Sequence, residues 1–157
     1  MKPNRMFAAL FCAFLIFAAP RARAADEFFA TAEGAIRGYD PVAYHREGRA
    51  TPGSAAITHA WGGVDWRFAS TANRDLFAAD PERYAPRFGG YCAYGTAKGY
   101  KVSTDPDAFA IIDGRLYLNY NAAVQDTWNQ DRPGYIATAV NNWKSLEHSA
   151  YVPEPKR

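Results

Sequence analysis

The sequence predicts an α+β fold, a small single domain in which antiparallel β-hairpins pack against short helices. Three observations carry that expectation. Two stretches alternate apolar and polar residues on either side of a two-residue turn signal, Gly62-Gly63 in one and Asp113-Gly114 in the other. The helical signals are short and separately capped. No repeated strand–helix alternation calls for a parallel sheet.

Residues 1–24 read as an export signal. Lys2 and Arg5 give a basic start, Met6 to Ala19 an apolar run, and Ala22-Arg23-Ala24 a small-x-small cleavage site. The run is too short for a stable membrane span. Cleaving 24 of the 157 residues leaves 133, enough for one core and no second domain. The domain is placed over 25–147, with a flexible tail over 148–157.

In the mature chain, Asp40 is the N-cap and Pro41 the first turn of a short helix over 41–47 that Gly48 ends. Ile57 to Phe68 forms the first hairpin, in a register that sets Trp61 opposite Val64 and His59 opposite Trp66, with His59 toward the core. Ser70 caps a helix over 71–79, with Leu76 and Phe77 inward, and Asp80-Pro81 stops it. An aromatic, glycine-interrupted stretch then leads to Cys92. The second hairpin runs from Phe109 to Ile112 and from Leu116 to Tyr120. Helices over 122–130 and 133–146 follow, burying Val124, Trp128, Ile136, Val140 and Trp143.

Charge argues against nucleic acid as a partner. Subtracting the leader's four bases from 18 leaves 14 against 16 acids, so the formal charge moves from +2 to −2. No basic excess remains to neutralise a phosphate backbone. Cysteine usage is more informative. Cys12 falls in the leader, so Cys92 is the only thiol of the mature chain and an internal disulfide is impossible. An unpaired thiol in an oxidising compartment must be buried, bound or paired between chains.

No phosphate-binding glycine loop, His-Glu-x-x-His helix, serine elbow or Cys-x-x-Cys pair occurs. Cys92 lies in Gly89-Gly90-Tyr91-Cys92-Ala93-Tyr94, where glycines permit close backbone approach and tyrosines can wall the sulfur. Three readings stay open: a ligand for a soft metal, a nucleophile with His59 as its base, or inert packing. A helix starting near Gly90 favours the first two by lowering the thiol pKa. His45 reads as a surface residue near a helix C-terminus, and His148 as exposed. Asp40, Asp65 and Asp105 read as capping or solubilising acids. The 10 Tyr and 4 Trp could line a sugar-binding face, although most fall at core spacing.

These motifs resemble the exported, stand-alone YHS-domain proteins. The matching text is Gly38-Tyr39-Asp40-Pro41-Val42-Ala43-Tyr44, Trp66-Arg67-Phe68-Ala69-Ser70, Tyr84-Ala85-Pro86, the cysteine motif, Asp113 to Tyr120, Pro133-Gly134-Tyr135-Ile136 and Asn142-Trp143. The triplet that names the family departs here to Tyr44-His45-Arg46. The resemblance implies a periplasmic or secreted metal-binding module beside a metal-transport or resistance protein, with copper the metal suggested and Cys92 at the motif's cysteine.

On that reading Cys92 and His59 are the metal ligands. Met1 and Met6 leave with the leader, so no thioether remains, and one cysteine with three scattered histidines is too few for a closed zinc site. Cu(I) prefers thiolate at low coordination, which Cys92 with one histidine, or two copies of Cys92 across a homodimer, could satisfy.

Overall fold

The computed structural model describes residues 26–153; the expected leader lies outside them. The chain begins with a small hairpin, β1 (Ala30–Thr31) and β2 (Gly34–Ala35), and a tight turn over Ile36–Gly38. Two strands of two residues are too short to leave an alternation in sequence, and this hairpin was not foreseen. Helix α1 (Pro41–Glu47) follows as expected. Asp40 accepts from the Val42 and Ala43 N–H groups, Pro41 sits in the first turn, and Gly48 ends the helix at φ 65°.

Strands β3 (Ser54–Trp61) and β4 (Val64–Phe68) pair with Trp61 opposite Val64 and His59 opposite Trp66, the anticipated register. Gly62 and Gly63 both take positive φ, the requirement of a turn that follows the strands' right-handed twist. Ser70 caps α2 (Thr71–Ala79) through the Asn73 N–H. Asp80 then both ends α2 and caps a further single turn, α3 (Pro81–Tyr84), because proline is as well placed to open a helix as to stop one.

Cys92 caps α4 (Ala93–Ala97), a helix whose interior glycine hid it from propensity. The second hairpin joins β5 (Asp105–Ile112) to β6 (Arg115–Asn119) through Asp113-Gly114, both at positive φ. A register shift between Asp105 and Phe109 concealed the first half of β5. Two capped helices, α5 (Ala122–Asn129) and α6 (Arg132–Leu146), complete the fold. The described residues thus form three separate two-stranded antiparallel sheets packed with six short helices, the α+β class expected.

Two cores result. In the first, Trp66, Phe68 and Phe77 are fully buried and Phe77 lies 5.0 Å from Trp66 and 5.2 Å from Phe68, locking α2 onto the β3–β4 face. The second gathers Phe88, Tyr117, Trp128 and Ala139 between β6, α5 and α6. Val140, expected inside, is exposed at 38%. The face of α6 turned to the core runs through Ala139, and the next residue lies about 100° around the helix. No helix among the described residues is long and apolar enough to cross a membrane.

The two ends of the described residues meet. Lys101 Nζ donates to the carbonyls of Asp26 at 2.8 Å, Glu147 at 3.2 Å and Ser149 at 2.8 Å, under the rings of Tyr91 and Trp143. Tyr151, in the segment expected to be a flexible tail, packs on Phe29 and Tyr91, and its N–H donates to Asp26 at 2.8 Å. That segment is therefore docked at Ser149 and Tyr151, while Val152 is 79% exposed.

Candidate functional site

Gly89 has to be glycine. It sits at φ 59°, and a Cβ there would overlap the Glu27 carbonyl oxygen. This close approach carries the chain over the start of the cysteine motif and lets Phe29 N–H donate to Gly89 O at 2.8 Å. Cys92 itself is held on both sides. Its N–H donates to Val102 O at 3.1 Å, its carbonyl accepts from Thr96 N–H and Thr96 Oγ1, both at 2.9 Å, and it bridges to Leu118 of β6.

The sulfur is engaged as well. Gly95 N–H donates to Sγ at 3.4 Å, and Sγ–H donates to Asn119 Oδ1 at 3.7 Å. Cys92 is 1% exposed, and burial pushes its thiol pKa up, although backbone groups of Gly95, Tyr120 and Tyr94 oppose the shift. The thiol stays protonated at neutral pH. A helix does begin at the sulfur, as the reactive readings require, but its one-and-a-half turns do not outweigh desolvation.

The two tyrosines of the motif have partners of their own. Tyr91 turns its hydroxyl to Asp26 O at 2.8 Å and packs on Phe29, while Tyr94 packs edge-on against Tyr135. His59 stands half-buried on β3 with its ring 6.1 Å from Phe77. No hydrogen bond or ring contact among the described residues joins it to Cys92. Nor do three or more His, Cys, Asp or Glu side chains gather there in a group that could hold a metal ion.

His45 is not the exposed cap expected. It packs edge-on against Tyr84, its Nε2 is buried without a partner, and burial lowers its pKa. The reason is α3, which lies across this part of α1. Asn119, fully buried, was missed. Its Oδ1 accepts from Cys92 Sγ and from Tyr94 N–H, leaving its Nδ2 without a partner. Only its place as the last residue of an alternating strand signalled it.

An opening among the described residues lies elsewhere. A cleft of about 510 Å³ runs between the Ile36–Gly38 turn and the start of β5, lined by Arg37, Tyr39, Ser103, Asp105, Tyr120 and Asn121 among others. This is within the size range of small-molecule pockets. Ile36 and Arg37 both hold positive φ, 43° and 59°, conformations that non-glycine residues avoid, a β-branched one above all. Buried Ile36 is tied by its N–H to Phe29 O at 2.8 Å, and Arg37 Nε donates to Thr104 O at 2.9 Å across the cleft wall. Arg37 directly precedes the Gly38-Tyr39-Asp40-Pro41 motif, and that adjacency was its one signal in sequence.

Comparison with protein-family models, with curated proteins and with solved structures finds no match to this chain.

Proposed function

We propose that the protein is an exported, non-catalytic binding domain in which Cys92 is structural and the cleft beside Arg37 is the surface that meets a ligand. The engagement of the cysteine sulfur carries this reading: capped by Gly95 N–H and 1% exposed, it is spent on holding α4 to β6. A nucleophile and its base need hydrogen-bond reach, and no such bond links Cys92 with His59 among the described residues. The cleft, by contrast, opens to solvent and is polar on several sides. Export rests on the leader's pattern and on the lone thiol, which burial protects in an oxidising compartment.

A ligand screen by thermal shift on wild type and Cys92→Ser tests the proposal. The expected result is a folded variant with the same ligand profile. Loss of every ligand response on this substitution, or no response in either protein, overturns it.

One observation favours a second reading, in which Cys92 binds a soft metal such as copper. The Gly95 N–H donates to the sulfur at 3.4 Å, as backbone donors around metal thiolates do. A second donor is still needed, and no hydrogen bond joins His59 to the sulfur among the described residues. This reading expects Cu(I) to outcompete Zn(II) for the wild-type protein and uptake to vanish in Cys92→Ala.

A further inference from the structure

The cleft is lined by residues of opposite charge, Arg37 and Asp105, with no ion pair between them among the described residues. Arg37 is held by its Nε on Thr104 O at 2.9 Å and by its guanidinium carbon 5.6 Å from the centroid of the Phe29 ring, its charge also draws on Glu33, and no hydrogen bond or ion pair takes its two terminal nitrogens among the described residues. Guanidinium nitrogens presented in this way form the planar fork that carboxylates match. Asp105 lines the same cleft. Its Oδ1 accepts from the Asp107 N–H at 2.9 Å, its Oδ2 has no hydrogen bond among the described residues, and no ion pair joins it to Arg37. Tyr39, Ser103 and Asn121 line the same cleft, Asn121 with its Oδ1 accepting from the Val124 N–H at 2.9 Å.

The backbone that delivers Arg37 is strained. Two successive left-handed non-glycine residues persist only where the surroundings over-determine them, and such strain gathers at ligand clamps. Here the buried Ile36 side chain and the Arg37–Thr104 bond do the holding. An anion alone would meet Asp105 and a cation alone would meet Arg37. A ligand bearing both charges satisfies the two ends together. Resting on the cleft reading above, we infer that the site binds a small zwitterion of the α-amino acid or short-peptide class, its carboxylate on Arg37 and its ammonium on Asp105.

The test is an NMR and calorimetric titration of the full mature chain with alanyl-alanine, its N-acetyl form, its C-terminal amide and glucose. The expected result is saturable binding of alanyl-alanine with shifts at Tyr39, Ser103 and Asn121, weakened at least about tenfold by either blocking group. Asp105→Asn, which keeps the bond to Asp107 N–H, should erase the penalty for acetylation. Arg37→Met should erase the penalty for amidation, and the blocked ligands keep the test independent of whether that variant folds. Equal binding of the free and blocked dipeptides overturns the inference. If glucose moves the cleft signals and alanyl-alanine does not, the inference fails and the cleft reading stands. If no probe moves them, both fail.

Discussion

The Asn73 side-chain amide donates to Asp40 Oδ2 at 2.7 Å, closing a ring of four donors around one fully buried carboxylate. Ala69 N–H shares Oδ2 at 2.9 Å, and the Val42 and Ala43 N–H groups take Oδ1 at 2.8 and 3.2 Å. One side chain thereby caps α1 and fastens it to the start of α2. Every partner is a donor, so an amide cannot substitute. Asp40→Asn is expected to cost nearly as much as Asp40→Ala, about 3 kcal/mol in denaturant unfolding. A neutral Asp40→Asn contradicts this.

Lys101 joins the two ends of the described chain through three carbonyls. Lys101→Met keeps the apolar stem over Tyr91 and Trp143 but loses those bonds. It is expected to lower stability by about 1–2 kcal/mol and to speed hydrogen exchange around 26–29 and 147–151 before the rest of the chain. Exchange that rises uniformly contradicts this.

His45 makes stability depend on pH. Burial lowers its pKa below the ordinary 6.5, with nearby Arg83 in the same direction and a backbone bond to Tyr84 opposing. The unfolded chain therefore takes up a proton at higher pH than the native one. Its contribution is intact above the unfolded value of 6.5 and is lost as pH falls from there through the lower folded value. His45→Phe fills the same space without the unpartnered Nε2. Unfolding midpoints at successive pH values should show wild type losing more stability than the variant on acidification; parallel curves contradict the assignment.

The proposed export makes a prediction about the mature end. Cleavage after Ala24 leaves Asp26, whose carbonyl accepts from Tyr91 Oη and Lys101 Nζ, inside the mature chain. Intact mass of the exported protein is expected to place the N-terminus at Ala25. A retained leader, or a cut beyond Asp26, contradicts it.

Legibility in the sequence followed the range of the interactions. The cap at Asp40, the stop at Gly48, both two-residue turns and the His59–Trp66 pairing depend on neighbours within a few residues, and all are visible as pattern. The β1–β2 hairpin, the docking of Tyr151 and the Lys101 clamp depend on contacts between chain ends, which leave no local trace. At the site, the Gly89-Gly90 signal correctly announced close backbone approach. What it could not announce was that the sulfur would be bonded to Asn119 and Gly95 while the His59 ring packs on Phe77. Arg37 was overlooked because an arginine before a glycine reads as a solvated turn; its strained φ and its bond to Thr104 exist only in the fold.

The central claim, that Cys92 is structural, is tested most directly by the rate at which the native thiol reacts with an alkylating agent. Capped by Gly95 N–H, bonded to Asn119 and 1% exposed, the sulfur is expected to react only as fast as the protein opens. The rate should rise with denaturant and stay indifferent to chelators. Rapid labelling of the native protein at neutral pH, or labelling that appears only after a chelator strips a bound metal, would contradict it.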